Sequence, residues 1–242
     1  SRYVSSQTFL RTIVSLISMT KDSIDHFKEQ LPKDVYDVLV KEGIQTLRPS
    51  QLKALEAGLL EFQSLLICTP TASGKTLIAE IAALHAISRG IGKAVYIVPL
   101  KALANEKFKE FTRRYGHKVR IAISIGDLDK KEDYLANYDL IICTAEKLDS
   151  LLRHHCPWLT SVKVVIVDEI HLLNDVGRGP TLEILITLLR NAIKNIQIIG
   201  LSATIGNPEE LADWLGAECI VDDWRPVLLK KGVYLQGKVD FE

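Results

Sequence analysis

The sequence of 242 residues predicts an α/β fold, with a mostly parallel sheet and helices on both of its faces. Short runs that are almost wholly apolar recur from residue 65 onward, as expected of strands that are buried on both faces. Longer segments with helical periodicity separate many of these runs. This alternation favours parallel strands that are joined by right-handed crossovers.

Six of the apolar runs are predicted to be strands, and three of the segments between them are predicted to be helices. The strands are "LLIC" (65–68), "AVYIV" (94–98), "VRIAIS" (119–124), "DLIIC" (139–143), "VKVVIV" (162–167) and "IQIIGLS" (196–202). The helices are "KTLIAEIAALHAIS", "ALANEKFKEFTRRY" and "TLEILITLLRNAI". Pro32 and Pro49 are expected to open two earlier helices. Ligands of such sheets bind at the carboxyl ends of the strands, so the loops there are the places to look for chemistry.

The chain is predicted to have three segments. Residues 1–30 form an N-terminal helical extension, because apolar residues between Phe9 and Met19 recur at helical spacing, although this stretch is too short and too polar to cross a membrane. Residues 31–224 form the sheet domain. Residues 225–242 form an exit linker, which "DWRP" (223–226) marks, and a strand with no closing element. Since the chain begins at Ser1 and ends on a strand, we expect a fragment of a longer protein.

Composition excludes few classes of function. Thirty basic residues balance thirty acidic ones, so any basic surface for nucleic acid must be local. Cys68 and Cys143 lie within apolar runs and are expected to be buried free thiols. The segment "HHC" (154–156) lacks the second pair of ligands that a zinc site needs. These features predict a reduced, intracellular and cytoplasmic protein, which would be nucleoid-associated if its source is archaeal.

The segment "TPTASGKT" (69–76) directly follows the first predicted strand and opens a helix, which is the context of a phosphate-binding loop. Gly74 lets the backbone approach a phosphate, Lys75 can reach the β and γ phosphates, and Thr76 can bind Mg²⁺. Thr69 stands where the usual pattern has glycine, but that position shapes the turn and does not contact phosphate. On this motif alone, an ordinary strand–helix turn remains the alternative.

A second loop carries paired acids. In "VVIVDEIH", Asp168 and Glu169 follow a buried strand, and His171 comes two residues later. Such a pair suits nucleotide hydrolysis, in which one carboxylate holds Mg²⁺ through water and the other deprotonates the attacking water. A solvated acidic turn is the alternative for an isolated pair. The two loops in the correct order on one sheet favour a nucleotide site.

Six segments in order resemble the motifs of the first RecA-like domain of superfamily 2 DExH helicases. They are "TPTASGKT", "PLKALANE", "TAEKLDSL", "DEIHLL", "GRGPTLE" and "LSAT". They are most similar to the Ski2-like group and its archaeal Holliday-junction-migration helicases. The resemblance extends from Leu31 to about Val233 and implies a RecA-like P-loop NTPase domain that uses ATP and Mg²⁺.

The resemblance also implies roles for individual residues. The nucleotide site would comprise Gln51, Thr71, Ala72, Ser73, Gly74, Lys75 and Thr76, with Gln51 reading adenine. Catalysis would use Lys75, Asp168 and Glu169, where Glu169 is the base and Asp168 binds Mg²⁺ together with Thr76. Coupling of the nucleotide state to the strand-binding surface would use His171, Ser202, Ala203 and Thr204.

The nucleic-acid surface that the resemblance implies comprises Pro99, Lys101, Ala102, Thr144, Lys147, Arg178 and Gly179. Its three basic residues follow strands at the sheet edge and lie beside helix-start amides, as contact with phosphates requires. The sequence has no cluster that would read bases, so binding is expected to be independent of sequence.

The function that the resemblance implies is the motor domain of an ATP-dependent DNA helicase of 3′-to-5′ polarity, acting on single-stranded or branched DNA. A second RecA-like domain of the same parent chain would complete the ATP site with arginines. No pattern like Gln-x-x-Gly-Arg-x-x-Arg occurs in this sequence, so the isolated chain is expected to be nearly inactive. A Ski2-type RNA helicase and a nucleotide-gated binding module without turnover stay open as alternatives.

Overall fold

A computed structural model describes residues 22–126 and 132–226, and the backbone of residues 232–235 and 238–241. Seven strands form one sheet, in the order β3-β4-β2-β5-β6-β1-β7, and every neighbouring pair within it is parallel. These strands are β1 (Leu65–Cys68), β2 (Lys93–Val98), β3 (Ile121–Ser124), β4 (Leu140–Thr144), β5 (Val162–Val167), β6 (Gln197–Ser202) and β7 (Glu218–Val221). The predicted α/β class and parallel sheet are confirmed.

Seven α-helices lie within the described ranges. They are α1 (Lys33–Lys41), α2 (Pro49–Glu56), α3 (Lys75–Ser88), α4 (Lys101–Tyr115), α5 (Ala145–Arg153), α6 (Gly179–Ala192) and α7 (Pro208–Leu215). Pro32 and Pro49 stand at the starts of α1 and α2, as the sequence predicts, because proline has no N–H to lose at the first turn of a helix. No helix in the described ranges is both long and apolar enough to cross a bilayer.

Each face of the sheet has its own apolar core, because successive side chains of a strand point to opposite faces. In β1, Leu65 and Ile67 pack with the core under α1, α2, α3 and α4. Leu66 and Cys68, which alternate with them, pack with the core under α5, α6 and α7. The sheet is therefore covered on both sides, and its loops at the carboxyl edge are held on a rigid base.

Two parts of the strand prediction are corrected by the structure. The sequence analysis missed β7, which pairs only with β1 and has a single fully buried residue, Ile220, so it lacks an apolar run. The sequence predicts a single C-terminal strand with no closing element, whereas β8 (Gly232–Leu235) and β9 (Lys238–Phe241) are two strands that pair antiparallel. The helix predicted between Phe9 and Met19 lies outside the described residues.

The strand order determines which loops meet at the carboxyl edge. The predicted phosphate loop follows β1, and the acidic pair follows β5. Strand β6 lies between those two strands, with Cys68 opposite Ser202 and Val167 opposite Gly200. The two loops are thus one strand apart, and the end of β6 lies between them.

Candidate nucleotide site

The phosphate loop is closed by bonds from its own residues. Thr69 and Ser73, both buried, share a hydrogen bond of 2.6 Å between their hydroxyl oxygens. The ammonium of Lys75 donates to the carbonyl oxygen of Thr69 at 2.8 Å. The Thr69 side chain thus braces the turn, at the position where the usual pattern has glycine.

Gly74 is required by both its backbone conformation and its surroundings. Its φ of 94° lies in the left-handed region that favours glycine. A Cβ atom at this position would lie 2.5 Å from Nε2 of Gln51 and 3.1 Å from the Arg48 side chain. Any other residue would therefore be strained and would also displace Gln51.

Gln51, the predicted adenine reader, is positioned by two hydrogen bonds. Its Oε1 accepts from the backbone N–H of Arg48 at 2.8 Å, and its Nε2 donates to the carbonyl oxygen of Gly74 at 3.0 Å. A side-chain amide carries two donors and two acceptor lone pairs, so one of each remains for a base. The structure thus links this residue directly to the phosphate loop.

The acidic pair is fixed at the end of β5. The hydroxyl of Tyr96 donates to Oδ2 of Asp168 at 3.1 Å, and the backbone N–H of Glu169 donates to Oδ1 at 3.1 Å. Glu169 adopts a φ of 52°, an unusual conformation for a residue with a side chain. Strained positions of this kind occur preferentially at active sites.

Electrostatic interactions accompany the placement of the two loops on either side of β6. Burial lowers the pKa of Lys75, while the negative charges of Glu169 and Asp168 act in the opposite direction. Burial and the neighbouring Asp168 raise the pKa of Tyr96 well above its usual value, so Tyr96 stays a hydrogen-bond donor. The cation and the two carboxylates therefore lie at the same edge of the sheet, on the two sides of β6.

The end of β6 contacts both loops. The backbone N–H of Thr69 donates to the carbonyl oxygen of Ser202 at 3.3 Å. On the other side, the N–H of Ala203 lies 3.4 Å from Nδ1 of His171, and that nitrogen lies 3.3 Å from Oε2 of Glu169. The residues that the resemblance assigns to coupling thus form a path between the phosphate loop and the acidic pair, with Thr204 exposed beyond it.

The structure divides the predicted nucleic-acid residues into accessible and buried groups. Lys101, Ala102 and Arg178 are exposed at the carboxyl edge, and Pro99 is partly exposed. Thr144 and Gly179 are buried, and a Cβ on Gly179 would lie 2.1 Å from the Leu173 carbonyl oxygen. Gly179 is therefore needed for the close packing of α6, and it is not accessible to a nucleic acid.

The prediction that Lys147 contacts phosphate is wrong in this structure. Its side chain is fully buried, and its ammonium lies 3.6 Å from Oε1 of Glu132. Glu132 itself accepts a hydrogen bond from Ser124. Lys147 therefore joins the start of α5 to the segment that follows β3, and it does not reach the surface.

Sequence reasoning missed three residues of this site. Arg48 donates to the carbonyl oxygen of Ala72 at 2.5 Å, whereas the sequence shows only its position directly before Pro49. Tyr96 was taken as an ordinary buried strand residue, and nothing in its run signals the bond to Asp168. The ammonium of Lys107 lies 3.3 Å from Oγ1 of Thr76, and only the helical periodicity of α4 could have placed it on the inner side.

The donor atoms at the site suit Mg²⁺. The Thr76 hydroxyl and the Asp168 carboxylate offer hard oxygen ligands, which this ion prefers. No cluster of three or more His, Cys, Asp or Glu side chains that could hold a metal occurs in the described ranges. Mg²⁺ at phosphate sites is typically bound by one or two protein groups together with phosphate and water, so the two oxygens fit.

The family model for DEAD/DEAH box helicases matches residues 48–211. That range covers more than half of the chain and includes both loops, α2 and the end of β6. The chain belongs to the DEAD/DEAH box helicase family. The phosphate loop, the acidic pair and the β6 end are thus parts of a DEAD/DEAH helicase domain with a RecA-like fold, as the resemblance implied.

Two curated relatives of this DEAD/DEAH domain are archaeal DNA helicases. The ATP-dependent DNA helicase Hel308 of Pyrococcus horikoshii is 54% identical over 213 residues, which cover 88% of this chain and 29% of the relative. Hel308 of Methanocaldococcus jannaschii is 57% identical over 214 residues, which cover 86% of this chain and 18% of the relative. The chain thus spans less than a third of the length of these relatives.

Solved structures of the DUF1998 helicase MrfA share the fold. MrfA bound to DNA and AMPPNP is 28% identical, with a TM-score of 0.69 over 81% of this chain and 29% of that protein. MrfA bound to DNA alone is 26% identical, with a TM-score of 0.68 and the same 81% coverage of this chain. The RecA-like arrangement of this DEAD/DEAH domain therefore occurs in helicases that have been seen with DNA.

Proposed function

We propose that the chain is the first motor domain of an ATP-dependent DNA helicase, and that it binds Mg²⁺–ATP at the carboxyl edge of the sheet. The observation that carries this proposal is the placement of the loops after β1 and β5 on the two sides of the end of β6, with Lys75 in the first loop and Asp168 and Glu169 in the second. The names of the Hel308 relatives and of the MrfA structures support DNA as the nucleic acid. Following the family resemblance, we assign 3′-to-5′ polarity and single-stranded or branched DNA as the substrate.

Each functional group of the candidate nucleotide site has a specific task in this proposal. Lys75 exchanges its bond to the Thr69 carbonyl oxygen for charge-assisted bonds to the phosphates, which are stronger. Asp168 and Thr76 would hold Mg²⁺, which neutralises charge on the phosphates when it is bound. The bonds from Tyr96 and from the Glu169 amide orient the Asp168 carboxylate before substrate arrives.

Glu169 is proposed as the base that takes a proton from the attacking water. Its backbone lies in the left-handed region, two residues after the end of the buried strand β5. His171 lies against this carboxylate and against the Ala203 amide, both at the end of the coupling path. A shift of β6 relative to β5 would therefore change the surroundings of the Glu169 carboxylate.

The proposal includes a second RecA-like domain in the parent protein. Arginines that neutralise transition-state charge in phosphoryl transfer accelerate it by about 10³- to 10⁵-fold. Lys75, Lys107 and Arg48 are cations of the described residues that contact the loop, and each is held by groups of this chain. We therefore expect this chain to bind ATP and to turn it over near the background rate.

The test measures ATP turnover by the full-length parent and by the 242-residue chain, each without nucleic acid, with single-stranded DNA and with single-stranded RNA. We expect turnover by the parent to rise with DNA, and turnover by the chain to stay near background. Stimulation by RNA alone would replace this proposal with an RNA helicase. Nucleotide-dependent DNA binding without any turnover by the parent would replace it with a gated binding module.

A further inference from the structure

A large pocket lies beside the phosphate loop, and neither residue of the acidic pair lines it. Its volume is about 740 Å³, and its walls include Gln51, Gly74, Leu77, Arg48 and Trp224. Pockets that bind nucleotides and other small molecules are of this size. Because Gln51 and Gly74 also belong to the proposed ATP site, this pocket is where the base of a bound nucleotide would lie.

Trp224 comes to this pocket from the opposite end of the chain, just after β7. Its backbone N–H donates to Oδ1 of Asp222 at 2.8 Å, which fixes the turn that carries the ring. The ammonium of Lys53 donates to Oδ2 of Asp222 at 2.8 Å and to the carbonyl oxygen of Val221 at 3.0 Å. Lys53 lies on α2, the same helix as Gln51. Helix α2 therefore positions Gln51 directly and Trp224 through Asp222.

Arg48 connects the indole ring to the phosphate loop. Its guanidinium lies 5.1 Å from the centre of the Trp224 ring, within the range of a cation–π contact. The same guanidinium donates to the carbonyl oxygen of Ala72, within the loop. The ring therefore forms part of the pocket wall next to the loop, and 37% of Trp224 is exposed.

We propose that Trp224 is an aromatic wall of the base pocket, against which the adenine ring of a bound nucleotide stacks. This inference rests on the proposed ATP site. An indole ring and a guanidinium plane are both good stacking surfaces for a base. Stacking does not distinguish purines, because every base has a π face. Gln51 supplies the discrimination through its free donor and acceptor, while Trp224 supplies affinity.

A purely structural role for Trp224 makes a different prediction. If the indole only braced the end of β7 through Arg48, its removal would lower stability without affecting one ligand more than another. A stacking role affects ligands that carry a base and spares ligands that carry only phosphates. Comparison of ATP with inorganic tripolyphosphate therefore separates the two roles.

The experiment measures the dissociation constants of ATP, GTP and inorganic tripolyphosphate with Mg²⁺ for the wild-type chain and for Trp224→Ala. We expect the variant to bind ATP and GTP about tenfold more weakly, the effect of losing one base–aromatic stack, and to bind tripolyphosphate as the wild type does. Trp224→Phe keeps a ring and should stay within about threefold of the wild type for all three ligands.

Trp214→Ala is the matched control, because Trp214 is also partly exposed but lines a separate pocket next to α7. It should leave all three constants unchanged, and thermal unfolding should show each variant folded at the assay temperature. Equal weakening of ATP and tripolyphosphate by Trp224→Ala, or no weakening of either, overturns the stacking proposal. Failure of the wild-type chain to bind any of the three ligands would instead overturn the proposed function.

Discussion

Lys75 and Glu169 lie on the two sides of the end of β6, and they act at different stages of the proposed reaction. The Lys75 ammonium already lies over the phosphate loop, so its attraction to phosphate acts as soon as a nucleotide binds. The Glu169 carboxylate contacts His171 and no residue of the phosphate loop. Its proposed task begins only when a water molecule is deprotonated, so the two residues should be separable by measurement.

We predict that Lys75→Ala weakens ATP binding at least tenfold, because it removes a charge that touches phosphate in the ground state. Glu169→Gln in the full-length parent should bind ATP within about twofold of the wild type and lose at least 100-fold in turnover, because the amide keeps the shape but not the base. Titration calorimetry gives the binding constants, and a phosphate-release assay gives the rates.

Lys109→Ala and Glu218→Gln are the controls for this pair of variants. Lys109 is exposed on α4, and Glu218 is exposed on the edge strand β7. Both should match the wild type in binding and in turnover. A turnover rate for Glu169→Gln within a few fold of the wild type would show that another group acts as the base.

Lys147 shows that a local sequence pattern does not reveal whether a basic residue is exposed. Its position after a strand and near a helix start resembles that of Lys101, which is exposed. Glu132 and the packing of α5 bury Lys147 instead. Burial depends on partners from other parts of the chain, so a local pattern cannot distinguish the two lysines.

At the scale of elements, a buried ion pair joins α3 to α4. Glu80 is fully buried on α3, the helix that starts at the phosphate loop, and Arg114 and Tyr115 on α4 both donate to its carboxylate. Burial raises the pKa of Glu80 to about 7, although the charge of Arg114 acts to lower it. Loss of the arginine would therefore leave a buried carboxylate that resists ionisation even more.

We predict that Arg114→Leu destabilises the chain by about 3 kcal/mol near pH 8, because it leaves the Glu80 charge unpaired. Without Arg114, the folded-state pKa of Glu80 rises above 7, while the unfolded value stays near 4.3. A raised folded pKa means that stability is lost as pH rises toward that value. The destabilisation relative to the wild type should thus be smaller at pH 6 than at pH 8.5.

Urea unfolding at the two pH values measures this difference. Arg113→Leu is the matched control, since the Arg113 side chain is 69% exposed and, among the described residues, forms its ion pair with Glu42, at 3.6 Å. That variant should change the free energy of unfolding by less than about 1 kcal/mol at either pH. A loss for Arg114→Leu that does not depend on pH would show that the carboxylate finds another partner.

At the scale of the whole molecule, the balance of thirty basic and thirty acidic residues conceals a local arrangement. Lys101 and Arg178 are exposed on the carboxyl edge of the sheet, after β2 and β5 respectively. Arg178 lines a small pocket together with Asp168 and Glu169. A strand bound along this edge would therefore lie next to the proposed catalytic acids.

We predict weak binding of single-stranded DNA by this chain, with a log–log salt slope of about −1.4 for two phosphate contacts. Lys101→Ala and Arg178→Ala should each reduce the slope by about 0.7. Lys194 precedes β6 and so lies at the opposite edge, and Lys194→Ala should leave the slope unchanged. Fluorescence anisotropy at several salt concentrations measures these values, and a strong preference for one base sequence would contradict contact with the backbone alone.

The sequence by itself determined the fold class, six of the seven strands of the sheet and the two loops of the candidate site. These features are local, because an apolar run or a phosphate loop consists of consecutive residues. Only β7 of this sheet is not predicted, because an edge strand with one buried residue has no apolar run of its own.

The tertiary structure alone decided the order β5-β6-β1, the burial of Lys147 and the meeting of Arg48 with Trp224. Each of these depends on contacts between residues that are far apart in the chain. The free energy of such contacts comes from packing and desolvation, which depend on the whole fold. A residue's neighbours in sequence do not determine them.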